Sequence, residues 1–458
     1  MQIFVTQQNE VNTRLDCYHY QPEFVELEKR VKRRTNKTLG DYVLNIAGGA
    51  TPNKKYYAKY YAKSQEDGIP FLRVQNITNA GLNFDNCKYI KSETHQGMLK
   101  RSQVRENYLI TKITGVGRMA VSSVAPKGFE GNINQHLVSI KTESRETSEA
   151  LATFLNSDIG EQLASRRSTG GTRPALDYRA LLSIPVLINP KIVNVMKTTY
   201  KAKEKKLIQA EELLNSIDGY VIQQLGIEYC TEPEEKRSYL VNAFELEDRR
   251  HDPCYYRPSF TRLEKALLSK KAVGLGTLLK SITNGLDYRK FSEDGTLDYL
   301  RVSNIKPHKI EYGKVKKVML RQSDISKDIF GKKDDVLLTR KGTYGISVSL
   351  EQDLNALISS EVFLLKVETE KVNPHYLSVF LNSSLGQKQF LRNKVGAIMG
   401  SLSQEAVKDT YIVLPSRTKQ VSIVKQVKEH IKKSNQLQQE AEMIIRKAKK
   451  EVEEMILN

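Results

Sequence analysis

The chain contains two nearly identical heptapeptides, FLRVQNI at residues 71–77 and YLRVSNI at residues 299–305. Apolar and polar residues alternate in both, which predicts a β-strand with Leu72 and Val74 on one face and Arg73 on the other. Strands resemble one another, so the match alone has a trivial explanation. The surroundings of the two heptapeptides decide whether the chain repeats itself.

Segments around the two heptapeptides match in the same order along the chain. The matched pairs include RLDCYHYQPEF with RHDPCYYRPSF (14–24 with 250–260), LITK with LLTR (109–112 with 337–340), and LATFLNSDIG with LSVFLNSSLG (151–160 with 377–386). A glycine-rich stretch and a short apolar strand ending in proline follow in both halves. The separation of matched residues narrows only from 236, at Arg14 and Arg250, to 226, at Leu151 and Leu377. Chance gives one matching strand but not a collinear series, so the sequence predicts an internal duplication.

Each copy has the pattern of a mixed module. A short amphipathic helix is expected first (24–34 and 260–269), and short strands separated by glycine and asparagine turns follow. A later helix is expected at 149–166 and at 373–392. This order predicts an α+β fold, with one domain at residues 1–188 and a second at 228–415.

A long helix is expected after each module, at residues 189–227 and 416–458. Asn189 and Pro190 suit the cap and the first position of a helix, and Gly226 suits its end. Apolar residues then recur with a heptad period, and about 35 residues give a helix of roughly 50 Å. The predicted seam positions are Val193, Met196, Tyr200, Leu207, Ala210, Leu214 and Ile217, and Val424, Val427, Ile431, Ala441, Ile445, Ala448 and Val452.

Two arrangements would bury the apolar stripe of each helix. The two helices pair with each other as an antiparallel coiled coil that separates and joins the modules, or each packs on its own module. Pairing is the economical solution because Ala210, Ala441 and Ala448 permit close approach.

Charge points to an anionic partner. The 458 residues carry a formal net charge of +19 and a sequence pI near 9.4, which favours nucleic acid, although a basic protein without a polyanion is the alternative. No apolar run approaches ~18 residues, so no membrane span is predicted. The start of the chain lacks a signal-peptide pattern, and Cys17, Cys87, Cys230 and Cys254 form no metal-type pair. A cytoplasmic location is expected.

Motifs for catalysis, metal binding and cofactor binding are weak in this sequence. The sequence lacks a P-loop, an HExxH pattern and the Asn/Asp-Pro-Pro-Tyr/Phe stretch of amino-methyltransferases, so no catalytic residue, metal or cofactor is predicted. One alternative is a metal nuclease. DDVLLTRK at 334–341 loosely resembles such a core, and the first copy retains Glu106 and Lys112.

Basic and polar loops are the candidates for contact with DNA, because cations bind phosphates while forked and hydroxyl side chains reach base edges. The alternative for each loop is an ordinary solvated surface, and for Asn76 and Asn304 it is closure of a turn. The candidates in the first copy are Lys54, Lys55, Tyr56, Arg73, Arg118, Arg166, Arg167, Thr172 and Arg173. Those in the second copy are Arg289, Lys290, Arg301, Arg340, Lys341, Thr343, Tyr344, Arg392 and Lys394.

The order of the repeated blocks resembles that of the specificity (HsdS) subunit of type I restriction-modification systems. The blocks that carry the resemblance are IPFLRVQNI, DYLRVSNI, DVLLTRKGTYG and FLNSSLGQKQFLRNKVGAIMGSLS. The resemblance implies two target recognition domains that read the two halves of a split DNA site, with the paired helices as a ruler. It also implies partner methyltransferase (HsdM-type) and restriction (HsdR-type) subunits, with S-adenosylmethionine and methylation belonging to the partner. A type IIB system and a stand-alone DNA-binding protein remain alternatives.

Overall fold

The computed structural model describes residues 11, 14, 16–228, 238–242, 246, 252–313, 315–320, 329–396 and 400–458. Cys230, Arg250 and the 397–399 part of the second glycine-rich stretch lie outside these ranges. The chain divides into two compact units, Met1–Leu207 with Gln438–Asn458, and Ile208–Leu437. Each unit contains one copy of the repeat and a part of each long helix.

The first unit combines two four-stranded sheets with helices. Its helices are α1 (Pro22–Arg34), α2 (Tyr57–Tyr60), α3 (Ser92–Gln96), α4 (Arg145–Asn156), α5 (Asp158–Arg167), α6 (Tyr178–Leu182) and the beginning of α7 (Pro190–Leu225). Its strands are β1 (Asn45–Gly48), β2 (Ile69–Leu72), β3 (Ile77–Thr78), β4 (Gly81–Leu82), β5 (Lys88–Ile90), β6 (Gln103–Arg105), β7 (Leu109–Lys112), β8 (Ser122–Val124), β9 (Glu130–Ile133) and β10 (Leu137–Lys141). The strand orders are β1-β10-β7-β8 and β5-β2-β9-β6, with a β3-β4 hairpin, and β2 runs parallel to β9.

The second unit repeats this plan. Its helices are α8 (Pro258–Ser269), α9 (Pro374–Asn382), α10 (Ser384–Asn393), α11 (Gln404–Lys408) and the first part of α12 (Arg417–Leu457). Its strands are β11 (Val273–Gly274), β12 (Leu279–Asn284), β13 (Leu297–Leu300), β14 (Ile305–Lys306), β15 (Lys309–Ile310), β16 (Lys316–Val318), β17 (Val336–Thr339), β18 (Ser347–Ser349), β19 (Ala356–Ile358), β20 (Val362–Val367) and β21 (Tyr411–Ile412). The order β12-β20-β17-β18 reproduces β1-β10-β7-β8, and β13 runs parallel to β19 as β2 does to β9. The predicted α+β duplication is confirmed.

The repeated heptapeptide is a strand only in its first part. β2 ends at Leu72, and a 3₁₀ turn over Val74–Asn76 follows. Asn76 is buried; its Oδ1 accepts from the Arg73 N–H at 3.0 Å and its Nδ2 donates to the carbonyl of Asn83 at 2.9 Å. The prediction that the strand continues through Val74 is therefore wrong, because the asparagine side chain takes the backbone out of the sheet, although Val74 still packs in the same apolar cluster as Leu72. The turn-closing interpretation of Asn76 is confirmed.

The second copy contains the same turn. The Arg301 N–H donates to Asn304 Oδ1 at 3.0 Å, and Asn304 Nδ2 donates to the Glu311 carbonyl at 2.9 Å. What the heptapeptide repeats is thus a strand end followed by an asparagine-closed turn.

The shared FLNS motif locks a helix end to a sheet. Asn156 Oδ1 accepts from the Ser122 N–H at 2.9 Å, and Asn156 Nδ2 returns a bond to the Ser122 carbonyl at 2.7 Å. Asn382 makes the same pair of bonds with Ser347 at 2.9 and 2.8 Å. This asparagine clamp ties the last turn of α4 to β8 and the last turn of α9 to β18.

The sequence predicts a single late helix in each copy, but the structure has two: α4 and α5 in the first copy, and α9 and α10 in the second. Ser157 is extended and ends α4, and its hydroxyl oxygen accepts from the Gly160 N–H at 3.0 Å to cap α5. Ser383 occupies the same extended conformation between α9 and α10. Serine is a preferred cap residue, so the break follows from local chemistry.

The long helices α7 and α12 run antiparallel within each unit. In the first unit, Lys206 pairs with Glu440 at 2.5 Å, and Met196 shares a buried cluster with Ala448. In the second unit, Ser434 Oγ donates to the Ala210 carbonyl at 2.9 Å, and Lys419 hydrogen-bonds to Gln224. Higher numbers in α7 meet lower numbers in α12, so the predicted antiparallel pairing is confirmed. The helices also pack on the modules, since Ile192 and Ile423 lie in the module cores.

Two predicted seam positions are wrong. Leu207 and Leu214 are 39% and 40% exposed, whereas Ala210 is buried and Ile217 packs against the core. The close approach of the helices follows the small residue Ala210, and the leucines flank that line. Of the other predicted positions, Met196, Val424, Val427, Ala441, Ala448 and Val452 are buried, while Val193, Tyr200, Ile431 and Ile445 are half-buried.

Candidate nucleic-acid interface

Arg166 and Arg167, two of the predicted DNA contacts, are buried. Arg166 Nη1 and Arg167 Nη2 lie 2.6 and 2.9 Å from the two carboxylate oxygens of Glu28 in α1, and Arg166 Nε donates to the His19 carbonyl at 2.9 Å. Burial raises the pKa of Glu28, but Arg167, Lys32 and Arg166 outweigh that effect and lower it to about 2. The prediction is corrected here: these guanidinium groups hold α1 against α5, because a buried charge needs its counter-ion.

Arg392 occupies the equivalent position in the second copy. Its Nη1 donates to Glu264 at 2.8 Å, its Nε donates to the Tyr255 carbonyl at 3.1 Å, and its guanidinium carbon lies 4.2 Å from the centroid of the Tyr255 ring. The predicted DNA contact is corrected in the same way. Arg392 joins α10 to α8, as Arg166 joins α5 to α1.

Arg118 is likewise engaged inside its module. Its guanidinium pairs with Asp158 at 2.5 Å and donates to the carbonyls of Asn156 and Ser157 at 2.9 Å. Lys449 of α12 approaches the same carboxylate at 2.9 Å. Burial raises the pKa of Asp158, but its bonds to Arg118 and Lys449 hold that pKa below its ordinary value. Arg118 thus contacts the start of α5 while its side chain is still 36% exposed, and its contact with DNA stays a prediction.

Arg73, Arg301 and Arg340 are half-buried at the strand ends. Arg73 Nη2 donates to the Asn86 carbonyl at 2.6 Å, and the Arg340 guanidinium lies 5.2 Å from the Phe363 ring centroid. The Nε atom of each of the three is buried and has no hydrogen-bond partner among the described residues. All three remain candidates for contact through the outer nitrogens of the guanidinium group.

Two predicted loops lie side by side in the first copy. The loop that follows β7 meets the glycine-rich loop, since the Gly115 N–H donates to the Pro174 carbonyl at 3.1 Å. Thr169 and Ala175 exchange two backbone bonds of 2.8 and 2.7 Å, which makes the glycine-rich loop a narrow turn. Thr172 and Arg173 are exposed at its tip.

The second copy brings its counterparts together. The Gly342 N–H donates to the Gly400 carbonyl at 3.3 Å, beside the backbone pair between Val395 and Ser401. Tyr344 and Lys394 are half-buried against Gly400, where an added Cβ would lie 2.5 Å from Tyr344 Cε1 and 3.3 Å from Lys394 Cδ. Lys341 and Thr343 are exposed on the same turn.

The segments between β1 and β2 in the first copy and between β12 and β13 in the second have different exposed residues. In the first copy, Lys54, Lys55 and Tyr56 are exposed on a 3₁₀ turn that leads into α2. In the second copy, the exposed residues are Arg289 and Lys290, and Arg289 pairs with Asp287 at 3.3 Å. These segments connect matching strands with unlike surfaces.

Sequence reasoning missed Lys88 and Tyr57. Phe71 in β2 pairs with Lys88 in β5, which places the Lys88 ammonium 5.1 Å from the centroid of the Tyr57 ring. No sequence motif joins them, because antiparallel pairing between β2 and β5 creates the proximity. The tyrosine-rich run was the only available signal.

Residues 271–444 match the family model for the type I restriction modification DNA specificity domain. Residues 271–444 therefore carry this specificity domain. The resemblance drawn from the sequence motifs is thereby confirmed, and the internal duplication relates the first copy to the specificity domain of the second. No curated protein sequence matches the chain.

Three solved structures are similar to this chain over most of its length. An S subunit of a type I restriction-modification system from M. genitalium is 11% identical, covering 92% of this chain and 94% of its own, with a TM-score of 0.41. A structure that describes assembly and conformational transition of the type I R-M system is 13% identical. The match covers 92% of this chain and 94% of the other, with a TM-score of 0.46. An HsdS subunit from Thermoanaerobacter tengcongensis is 14% identical. The match covers 92% of this chain and 95% of that subunit, with a TM-score of 0.35.

The two acidic residues of the nuclease alternative, Asp334 and Asp335, lie at the turn that precedes β17. Asp335 Oδ2 accepts from the Lys332 N–H at 2.8 Å, and burial raises the pKa of Asp335. Within the described ranges, no group of three or more His, Cys, Asp or Glu side chains is placed to hold a metal ion. In the same ranges, no helix is both long and apolar enough to span a membrane.

Proposed function

We propose that this chain is the DNA specificity subunit of a type I restriction-modification complex, and that each copy of the repeat reads one half of a bipartite site. The observation that carries the proposal is a shared framework with unlike surfaces. The sheet order, the asparagine-closed turn and the asparagine clamp recur in both copies. The exposed cations instead differ between the copies, as expected of two readers with different targets: they are Lys54, Lys55 and Arg173 in the first copy, and Arg289, Lys290 and Lys341 in the second.

The reading surface we propose consists of the exposed candidates. Lysines on these segments neutralise phosphates and give a salt-dependent affinity, while arginine and hydroxyl groups contact base edges. In the first copy these are Lys54, Lys55, Tyr56, Thr172 and Arg173, and in the second Arg289, Lys290, Lys341 and Thr343. The half-buried candidates add to this surface through the atoms that remain accessible; they are Arg73, Arg301, Arg340, Tyr344 and Lys394.

The paired helices serve in this proposal as the element that sets the spacer between half-sites. Once one half-site is bound, engagement of the other is intramolecular and gains from a high effective concentration. Helices suit this role because their length is fixed at about 1.5 Å per residue. The half-sites would then be read by the modules, and the spacer by the helices.

The reaction itself is assigned to partner subunits. A methyltransferase subunit would supply S-adenosylmethionine and methylate the site, a restriction subunit would cut unmodified DNA, and the chain itself would be non-catalytic. A cytoplasmic location follows from this role. The alternative is a type IIB system, because a closely similar specificity subunit serves some systems of that type.

The decisive experiment maps methylated motifs across a genome with and without this chain, in cells that retain the partner methyltransferase. We expect a bipartite motif that disappears when the chain is removed and returns on complementation. Methylation that persists unchanged would contradict the proposal. Incubation of the purified chain with Mg²⁺ and plasmid tests the nuclease alternative, which requires cleavage without any partner.

A further inference from the structure

Two tyrosine rings stack at the surface of the first copy. The centroids of the Tyr57 and Tyr61 rings are 4.2 Å apart and their planes differ by 6°. Tyr61 is 4% exposed and meets the edge of Phe71, whereas Tyr57 is 45% exposed. The inner ring is therefore held by the core, and the outer ring presents its other face to solvent.

Lys88 stands beside this stack and does not cover it. Its ammonium nitrogen is 5.1 Å from the centroid of Tyr57 and 5.3 Å from that of Tyr61. Because the two distances are nearly equal, the nitrogen lies level with the gap between the rings. A cation on the outer face of Tyr57 would be much farther from Tyr61.

The surroundings of the stack are cationic. Burial, followed by the charges of Arg73 and Lys54, lowers the pKa of Lys88. Lys55 and Lys59 stand 6.0 and 5.6 Å from the ring centroids of Tyr56 and Tyr60. An anionic group at this surface would relieve the repulsion among these cations.

An open aromatic face beside crowded cations is the composition of a stacking platform for nucleic-acid bases. Each base offers a planar π-face, and the phosphates on either side of it meet the ammonium groups. In the matching segment of the second copy, which the structure describes in full, Tyr288 and Phe291 meet at 70° and Phe291 and Tyr299 at 51°, so no parallel stack forms there.

We propose that the outer face of Tyr57 stacks an unpaired nucleobase of DNA, while Lys88 and Lys54 hold the adjacent phosphates. The inference rests on the proposed function, because it takes the first copy to bind DNA. It goes further because a base stacked inside a duplex has no free face for Tyr57, so the base must be unpaired. The unpaired base comes either from a single strand or from a duplex in which it has left the stack.

The test uses the full chain and a mixed-sequence single-stranded oligonucleotide that contains one 2-aminopurine. Stacking on Tyr57 should change the fluorescence of the 2-aminopurine, and Tyr57→Ala should remove that change and weaken binding roughly tenfold. Tyr57→Phe keeps the ring and should bind within about twofold of the parent. Tyr312→Ala removes a tyrosine that is 53% exposed in the second copy, and serves as the matched control.

Lys88→Gln separates the contribution of the lysine charge to binding from that of the Tyr57 ring. It should lower the slope of log affinity against log salt by about 0.7 while the fluorescence change persists. The same 2-aminopurine in a matched duplex and opposite an abasic site tells the two sources apart. A signal in the matched duplex means that the protein extrudes the base, and a signal only with the abasic or single strand means that it captures an exposed one.

Three outcomes would overturn the inference: no fluorescence change with the parent chain, an unchanged signal in Tyr57→Ala, or equal losses in Tyr57→Ala and Tyr57→Phe. Melting curves of the variants detect any loss of folding, and Tyr57→Phe keeps the test decisive if Tyr57→Ala unfolds. A failure here leaves the proposed function standing when the bipartite methylation motif still depends on the chain. Loss of that dependence contradicts the proposed function itself.

Discussion

Arg392 donates to Glu264 in the second copy as Arg166 donates to Glu28 in the first, at 2.8 and 2.6 Å. The arginine belongs to the second helix of a helix pair, and the glutamate to the helix that opens the module. In both copies the arginine Nε also donates to the backbone carbonyl nine residues before the glutamate, that of His19 or Tyr255. The duplicated feature is thus an ion pair that closes the module around its core.

Loss of the first of these ion pairs should destabilise the first unit. Glu28→Gln leaves two buried guanidinium groups without a carboxylate, and removing one partner of a buried pair costs about 3–5 kcal/mol. Chemical denaturation followed by far-UV circular dichroism measures the loss. Glu26→Gln, an exposed change on the same helix, is the matched control and should change stability by less than about 0.5 kcal/mol. Equal effects of the two substitutions would refute the role of the pair.

The same carboxylate predicts an acid dependence. The pKa of Glu28 is about 2 in the folded chain against an ordinary 4.5, so its stabilisation is complete above about pH 4.5 and is lost as the pH falls toward 2. The linkage amounts to about 3 kcal/mol over that window. The denaturation midpoint should fall more steeply between pH 5 and pH 3 in the parent than in Glu28→Gln. Parallel curves for the two proteins would contradict the assignment.

The asparagine clamp yields a matched pair of variants. Asn156→Ala leaves the N–H and the carbonyl of Ser122 unpaired, and each unsatisfied buried group costs about 1–3 kcal/mol. Asn382→Ala should have a similar effect through Ser347 in the second unit. Thermal unfolding of the two variants measures both. Asn36→Ala, at an exposed position of the first unit, is the control, and a loss no larger than its own would count against the clamp.

Sequence patterns predicted the duplication, the α+β class and the antiparallel helices because all three rest on collinear blocks and periodic apolar positions. Burial of Arg166 could not be predicted, because its partner Glu28 lies 138 residues earlier and only the packed module brings them together. Leu207 and Leu214 fitted the heptad but flank the line where Ala210 permits close approach. The Tyr57 and Lys88 contact depends on the register between β2 and β5, which no local pattern encodes.

Reading of DNA should depend on exposed arginines more than on buried ones. Arg173→Ala removes a candidate base contact at a loop tip, and we expect it to weaken binding by about 1–3 kcal/mol and to relax one half of the methylated motif only. Arg173→Lys retains the charge but loses the fork, so it should keep the phosphate affinity and still relax the motif. Motif mapping by methylation sequencing distinguishes the two. Relaxation of both half-sites, or of neither, would contradict the assignment of Arg173 to one reader.

The spacer should respond to helix length while the half-sites do not. Deleting one heptad from α7 and the facing heptad from α12 keeps the apolar stripe in phase and shortens the pair by about 10 Å, because each helical residue rises about 1.5 Å. At about 3.4 Å per base pair, the methylated motif should lose about three base pairs of spacer with unchanged half-site sequences. A deletion of two residues from each helix is the control, since at about 100° per residue it turns the apolar stripe to roughly the opposite face and should abolish methylation. An unchanged spacer in a folded heptad-deletion variant would refute the helices as the element that measures the distance between half-sites.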